Sequence, residues 1–105
     1  MSNIKFNYLY RDGGNYKTFN SVIFKNDPSI SIKELGNLIR SKLIYAEWFY
    51  AERWKLPELF TGYFDFKTDP TWHEFESVEH TDEPVNSSIP LKEFIEIVSN
   101  TNWTY

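Results

Sequence analysis

Residues 31–45 read SIKELGNLIRSKLIY, a stretch with the pattern of an amphipathic helix. Ser31 and Glu34 have the spacing of a capping box, in which each side chain accepts a hydrogen bond from an otherwise unpaired backbone N–H at the helix start. Apolar residues then recur along one helix face, at Ile32, Leu35, Leu38, Ile39 and Leu43. The pattern predicts a helix that ends near Ile44 and buries this face against a second layer of structure.

Three other segments have the alternating pattern of β-strands. They are residues 4–11 (IKFNYLYR), 16–25 (YKTFNSVIFK) and 71–80 (TWHEFESVEH). The first two are joined by DGGN at 12–15, residue types that suit a hairpin turn, and Pro28 ends the second strand. Residues 47–51 are ambiguous between helix and strand, and we expect a short strand there. Residues 59–66 predict a loop or tight hairpin around Thr61 and Gly62.

A second helix is predicted near the end of the chain. Ser88 can cap it, with Pro90 in its first turn, where a missing N–H does little harm. Its apolar stripe is Leu91, Phe94, Ile95 and Val98. Together these elements predict a single α+β domain over residues 1–105, with a small antiparallel sheet of three to five strands and two helices packed on one face. Gly36 inside the first helix predicts the close approach of a neighbouring strand.

The charges divide unevenly between the two halves of the chain. Residues 1–55 carry nine Lys/Arg and five Asp/Glu, a net charge of +4, whereas residues 56–105 carry two and ten, a net charge of −8. An acidic total disfavours general nucleic-acid binding, which draws on basic residues. No apolar run approaches the ~20 residues that span a bilayer, and the first residues lack a signal core, so we expect a cytoplasmic protein without a membrane partner.

Residues 6–17, FNYLYRDGGNYK, and residues 72–76, WHEFE, resemble a group of small uncharacterised bacterial cytoplasmic proteins. The resemblance covers most of the chain. It implies a bacterial origin, a cytosolic location and a single small domain. It carries no functional residues to this sequence.

His73 and His80 lie in an acid-rich segment, where histidines beside carboxylates are candidates for a metal or acid–base site. One interpretation is therefore a small metal-dependent hydrolase that uses His73, Glu74, Glu76 and His80. In a regular strand, however, the two histidines face opposite sides of the sheet, and only a β-bulge would bring them to one side. Glu74 and Glu76 would share a face. The segment has no recurring metal-binding spacing, so a solvated strand face is the stronger interpretation.

The predicted hairpin offers a second candidate site. Arg11 and Lys17 bracket its turn, with Tyr10 and Tyr16 beside them. Basic residues interleaved with aromatic rings can bind single-stranded nucleic acid by charge neutralisation and stacking. The acidic total favours instead a hairpin with one aromatic core face and ordinary surface cations.

Aromatic residues make up 19% of the chain, more than a core of this size readily buries. They crowd its middle at Trp48, Tyr50, Trp54, Phe60, Tyr63, Phe64, Phe66 and Trp72. We therefore expect either an unusually aromatic core or exposed rings at an interface, where Tyr and Trp are enriched. The composition leaves both alternatives open.

These observations favour a non-enzyme without a cofactor. The sequence has no cysteine, no cofactor-binding loop and no recognisable set of nucleophile and base. We expect a small acidic protein-interaction module, of the kind represented by inhibitors, immunity proteins and anti-defence factors. Its expected contact surface for a basic partner protein is Trp72, Glu74, Glu76, Glu79, Asp82 and Glu83. A homodimer is compatible with every interpretation, because opposite charges or an exposed strand edge support self-association.

Overall fold

The computed structural model describes residues 2–60, 67 and 69–103. The elements follow in the order β1 (Asn3–Arg11), β2 (Lys17–Phe24), α1 (Ile32–Ser41), β3 (Trp48–Phe49), a 3-10 helix (Ala51–Trp54), β4 (His73–Thr81) and α2 (Leu91–Ser99). The strands form one antiparallel sheet in the order β2-β1-β4-β3. Both helices contribute to the hydrophobic core on one side of this sheet. The predicted α+β fold is therefore confirmed.

The N-terminal hairpin forms as the turn residues predict. β1 and β2 pair along their whole length, from Ile4 opposite Phe24 to Arg11 opposite Lys17. The Asp12 carboxylate accepts hydrogen bonds from backbone N–H groups within the turn, and Asn15 adopts a φ of 67°. Asparagine tolerates this left-handed conformation better than most residues, so the turn chemistry fixes the register of the hairpin.

The start of α1 is also as predicted, but its end is not. Ser31 Oγ accepts from the Glu34 N–H at 3.1 Å, and Glu34 Oε1 accepts from the Ser31 N–H at 3.3 Å. The helix ends at Ser41 rather than near Ile44. The chain then reverses in a tight turn that closes with hydrogen bonds between Ile44 and Trp48.

Gly36 lies where α1 passes over β4. A Cβ atom added to Gly36 would lie 3.5 Å from Val78 Cγ2 and 3.0 Å from an Arg40 guanidinium nitrogen. The close approach of a strand that the sequence predicts at this glycine is therefore confirmed.

The expected strand over residues 47–51 is shorter than predicted, because the chain bends to bury a tryptophan. β3 contains only Trp48 and Phe49, and a 3-10 helix begins at Ala51. This helix places the Trp54 indole flat against the Phe49 ring, with centroids 4.8 Å apart and planes at 10°. Trp54 Nε1 donates to Thr101 Oγ1 at 2.8 Å. Burial of a large aromatic ring contributes more than a few residues of edge-strand pairing would.

The cap of α2 also differs from the prediction. Pro90, not Ser88, occupies the N-cap position, and no side chain caps this helix. The predicted loop or hairpin around Thr61 and Gly62 falls on residues 61–66, which lie outside the described part of the chain.

The core lies between one face of the sheet and the two helices. Alternate residues of β1 enter it, at Ile4, Phe6, Tyr8 and Tyr10. The helices add Leu35, Ile39, Leu91, Phe94 and Val98. Phe6 is surrounded by rings, with centroids 5.2 to 6.5 Å away, from Tyr8, Phe49, Trp54, Phe75 and Phe94. Much of the aromatic content is therefore core, as one of the two alternatives expects.

The register between β1 and β4 shifts at one position. Asn7 lies opposite Ser77, whereas Tyr8 lies opposite Phe75, so Glu76 is the additional residue of a β-bulge. A bulge changes which face of the sheet the residues beyond it occupy. Glu74 and Glu76 therefore do not form the regular same-face pair that an unbroken strand would give.

Candidate partner-binding face

The side of the sheet that faces away from the helices, which we call the outer face, carries one continuous row of four side chains. Leu9 on β1 lies opposite Phe19 on β2 and Glu74 on β4, and Glu74 lies opposite Trp48 on β3. Leu9 is buried beneath its neighbours, whereas Phe19 is 60% exposed. The row therefore places a partly buried carboxylate between a buried leucine and an indole, with an exposed phenylalanine at its β2 end.

One end of the outer face is closed by the chain that follows β4. Glu83 forms an ion pair with Lys5 at 2.6 Å, and its carbonyl accepts from Asn3 Nδ2. This hydrogen-bonded pair raises the pKa of Lys5 and lowers that of Glu83. Asn86 then bonds to the backbone of Ile23 on β2. This segment crosses one end of the outer face, which we call the closed end. The row of Phe19, Leu9, Glu74 and Trp48 lies at the other end, which we call the open end.

A polar network fills the middle of the outer face. Asn7 donates to Glu79 Oε2 at 2.6 Å and to Ser77 Oγ at 3.1 Å, and it accepts from Ser21 Oγ. Asn7 is buried, so these bonds satisfy a side chain that would otherwise be costly to remove from water. The network has a structural role. It also binds Glu79, one of the acidic residues expected at the partner surface, within the protein itself.

At the open end, Glu74 is held by Arg11. The Arg11 Nε atom lies 2.8 Å from Glu74 Oε2, and Nη2 lies 3.3 Å from Oε1. The hydrogen bond to Glu74 raises the pKa of Arg11, and the nearby charge of Glu47 adds to this effect. A second carboxylate therefore stands close to the row beside Trp48.

Next to this row, five side chains line a pocket of about 140 Å³. We call it the aromatic pocket, and it consists of Ile44, Tyr45, Trp48, Tyr50 and Trp72. The Tyr45 and Trp48 rings meet edge to face with centroids 5.9 Å apart, and Trp48 and Trp72 are tilted by 48° at 5.8 Å. Tyr45 is 85% exposed and Trp72 is 39% exposed. The rings are thus ordered against one another while their surfaces remain accessible.

The turn that presents Tyr45 is strained. Tyr45 and Ala46 have φ values of 51° and 60°, although neither is a glycine or asparagine. Two consecutive positive φ values describe a type I′ turn, for which Asn-Gly is the favoured pair. A left-handed conformation costs an ordinary residue about 1–2 kcal/mol. Tyr45 is thus held in an uncommon backbone conformation while its ring remains exposed.

The acidic residues expected to bind a partner are spread along β4 rather than gathered in one patch. Trp72 and Glu74 lie at the open end, Glu76 at the bulge, and Glu79, Asp82 and Glu83 towards the closed end. Glu74, Glu79 and Glu83 already contact Arg11, Asn7 and Lys5 respectively. Glu76 and Asp82 are exposed. The open end is therefore where predicted acidic residues and accessible rings occur together.

His73 is buried among aromatic rings and is not positioned as a surface ligand. Its Nε2 accepts from the Leu59 N–H at 2.9 Å, and rings of Tyr8, Tyr10, Phe49 and Phe60 lie within 6.2 Å, centroid to centroid. Burial lowers the pKa of His73 from its usual 6.5 to about 4. Nδ1 is buried and has no hydrogen-bond partner among the residues that the structure describes. His73 is thus held in its neutral form.

The metal-site candidates do not converge. His80 lies opposite Ile4, so the bulge brings both histidines towards the core side of the sheet, and the opposite-face prediction is wrong. They are nevertheless at opposite ends of β4, seven residues or about 23 Å apart at the usual strand rise. Glu74 lies on the outer face with Arg11. No three His, Asp or Glu residues of the described ranges form a group that could hold a metal ion.

The candidate nucleic-acid site is also only partly accessible. Tyr10 is buried and donates to the Pro70 carbonyl at 2.7 Å. Arg11 is occupied by Glu74 and by Asn15 Oδ1. Tyr16 and Lys17 are exposed at the turn. Arg11 and Lys17 are register partners, but Tyr10 enters the core and Arg11 is engaged with Glu74, so Tyr16 and Lys17 are the accessible members of this set.

Three residues of the open end were not assigned to the partner-binding surface from sequence. Phe19, Tyr45 and Trp48 become neighbours of Trp72 and Glu74 only through strand pairing and the turn after α1. The abundance of aromatic residues was the available signal, since it suggested that some rings are exposed. It did not indicate which ones, because neighbouring positions such as Phe49 and Trp54 are fully buried.

The chain matches no protein-family model, and comparison with curated proteins and with solved structures finds no significant similarity. Among the described residues, no helix has the length and apolar character needed to cross a membrane.

Proposed function

We propose that this protein is an interaction module that binds a basic surface of a partner protein through the open end of its outer face. The observation that supports the proposal is the occurrence, at the open end of the outer face as the described residues form it, of accessible aromatic rings beside the carboxylates of Glu74 and Glu47. Aromatic residues are the usual energetic anchors of protein interfaces, and charges around them guide orientation and partner choice.

The exposed aromatic rings are present in addition to an aromatic core. The core contains other aromatic residues, including Phe6, Phe49, Trp54 and Phe94, each almost completely buried. Tyr16, Phe19, Tyr45 and Trp72 remain accessible in addition to them. Leaving large apolar side chains in water forgoes about 1.5–3 kcal/mol each. A binding surface accounts for that cost, since a partner would cover the same groups.

The acidic residues contribute mainly to partner choice. Exposed Glu76 and Asp82 would attract a basic surface over a distance of about 8 Å at physiological salt. Glu79 and Glu83 are engaged with Asn7 and Lys5, so they add to the field of the surface more than to direct contacts. We therefore place the anchoring contacts at the aromatic residues of the open end, and the steering contribution along β4.

Affinity purification from the native host, quantified by mass spectrometry, tests this proposal. The wild type is compared with a Trp72→Ala variant and with a Glu58→Lys control, which changes an exposed charge in the loop before Leu59. We expect one stoichiometric partner with a basic contact surface, retained by the control and lost by Trp72→Ala. A partner retained equally by both variants, or a partner with an acidic contact surface, would contradict the proposal.

A homodimer and a cytoplasmic location remain predictions. Light scattering coupled to size-exclusion chromatography measures the oligomeric state, and fractionation of the host cells measures the location. If a second copy of this chain occupies the open end, the Trp72→Ala variant will be monomeric and the purification will recover no other protein through that face.

A further inference from the structure

The aromatic pocket has the size of a site for one side-chain head group. Its volume of about 140 Å³ is below the roughly 300–1,000 Å³ of pockets that bind cofactors and drug-sized ligands. A wider pocket of about 490 Å³ lies elsewhere, beside Asn20 and Ser87, and it has no comparable set of rings. Whatever enters the aromatic pocket is therefore small, or is the tip of a longer chain.

The walls of the aromatic pocket favour a cation over a neutral group. Four of its five lining residues are Tyr or Trp, whose ring faces carry the negative part of the aromatic quadrupole. Tyr45, Trp48 and Trp72 are tilted relative to one another, so they present surfaces in different directions around one space. Such an arrangement attracts an ammonium or guanidinium group placed within about 6 Å of the ring centroids.

The charges next to the aromatic pocket also favour a cation. Glu47 precedes Trp48 in sequence, and Glu74 lies opposite Trp48 in the sheet. Arg11 is fixed by Glu74 and Asn15 and does not line the aromatic pocket. Lys67 lines a neighbouring pocket with Asp69 and Trp72, and it does not line the aromatic pocket either. With Arg11 paired to Glu74, the carboxylate of Glu47 adds negative charge beside Trp48.

The fold also shows the contact geometry that such a ligand would adopt. Arg40 Cζ lies 5.5 Å from the centroid of the Phe75 ring, and Arg53 Cζ lies 5.6 Å from that of Trp103. Both contacts lie within the range of favourable cation–π interactions. The same separation is available to a cation that reaches the exposed rings of the aromatic pocket.

We propose that the aromatic pocket binds the positively charged head group of a single lysine or arginine side chain on the partner protein. This inference rests on the proposed function and identifies the chemistry of its central contact. The strained turn at Tyr45 and Ala46 then has a role, because it holds the tyrosine ring as one wall of the pocket. A methylated lysine belongs to the same chemical class and would place more apolar surface against the rings.

The test uses defined small probes and the full-length protein. The probes are the acetylated amides of lysine, trimethyllysine and arginine, together with the neutral carbon isostere of trimethyllysine, whose tert-butyl group has the same shape. Titrations followed by NMR monitor the indole N–H signals of Trp48 and Trp72. We expect at least one cationic probe to shift these signals and to bind about fivefold or more tightly than the neutral isostere.

Variants locate the site. Trp72→Ala and Tyr45→Asn should each abolish the response, whereas Val85→Ala, which removes an exposed apolar side chain at the closed end, should leave it unchanged. Both pocket residues are exposed, so folding is retained and is verified by circular dichroism. Equal binding of the neutral isostere, absence of binding by every cationic probe, or a response unaffected by Trp72→Ala would overturn the inference.

The outcomes distinguish the inference from the proposed function. If the probes fail while the native partner is still lost from Trp72→Ala, the open end is an interface but its pocket does not select a cation. If cationic probes bind and the partner is retained by the same variant, the pocket exists and the proposed interface is elsewhere.

Discussion

Trp48 and Glu74 lie directly opposite each other on β3 and β4, so an indole and a carboxylate stand side by side on the outer face. Glu74 also binds Arg11, and Trp48 also contacts Tyr45 and Trp72. This one register pair therefore connects the charged row of the sheet with the aromatic pocket. A change in β3 pairing would therefore separate the two features.

Replacing Ala46 with glycine should stabilise the protein. Ala46 has a φ of 60°, a conformation that glycine adopts without the steric cost of a Cβ atom. Ala46 does not line the aromatic pocket, so binding of the cationic probes should be retained. We expect the free energy of unfolding to rise by about 0.5–1 kcal/mol, partly offset by the greater backbone entropy of unfolded glycine. Urea denaturation measures this, and a loss of stability would show that the turn is not strained.

Removing the charge of Arg11 should strengthen binding of a cation. In an Arg11→Gln variant, Glu74 loses its ion pair, and its charge adds to that of Glu47 beside the pocket. We expect affinity for the best cationic probe to rise about two- to fivefold, the range of an exposed ion pair, and to fall back at high salt. Lys17→Gln, which removes a cation from the adjacent hairpin position, is the matched control. Weaker binding in Arg11→Gln would argue against a cation-selective pocket.

His73 should make the protein less stable in acid. Its pKa falls from 6.5 to about 4 on folding because the charged form is desolvated. The unfolded chain therefore binds a proton more readily, and stability present above pH 6.5 is lost as the pH falls towards 4. The shift corresponds to a loss of about 3 kcal/mol across that interval.

Urea denaturation at several pH values measures this loss in the wild type and in a His73→Leu variant. The variant should be less stable at neutral pH, because the Leu59 N–H loses its acceptor, yet its stability should change less between pH 6.5 and 4. His80→Gln changes an exposed histidine at the other end of β4 and serves as the control. Identical pH profiles for the wild type and His73→Leu would exclude His73 as the source.

The hydroxyl group of Thr101, and not the size of its side chain, should contribute to the stability of the fold. Its Oγ1 accepts from Trp54 Nε1 at 2.8 Å and donates to the Ile97 carbonyl at the same distance. Thr101→Val keeps the shape but leaves the buried indole N–H without an acceptor, which costs about 1–3 kcal/mol. Thr101→Ser keeps the acceptor and should lose less. Thermal unfolding monitored by tryptophan fluorescence compares the two, and equal losses would show that packing decides.

The locally encoded parts of this fold were predictable because their signals lie within a few residues of each other. The capping box at Ser31 and Glu34, and the turn chemistry around Asp12 and Asn15, each depend on short-range backbone bonding. The lengths of α1 and β3 were not predictable in the same way. The end of α1 is followed by the turn that pairs Ile44 with Trp48, and β3 is followed by the 3-10 helix that buries Trp54 and bonds it to the distant Thr101.

The candidate site was predictable only in part. Trp72 and Glu74 were assigned to a partner-binding surface from composition and charge, and they lie at the open end. Tyr45, Trp48 and Phe19 were not assigned, since alternation cannot show whether a ring faces the core or solvent when both faces of a strand are aromatic. A regular strand predicted that His73 and His80 lie on opposite faces of the sheet. That prediction was wrong, because a one-residue bulge at Glu76 shifts which face the residues beyond it occupy.

The sequence by itself determined the class of fold, the N-terminal hairpin and the start of α1, since turn residues, the capping box and apolar periodicity act locally. Only the tertiary structure decided which aromatic rings are buried and which are presented. That outcome depends on the finite volume of the core: once Phe6, Phe49, Trp54 and Phe94 fill it, rings such as Tyr45 and Trp72 remain at the surface. The aromatic pocket therefore arises from packing between distant segments, which no single stretch of the chain encodes.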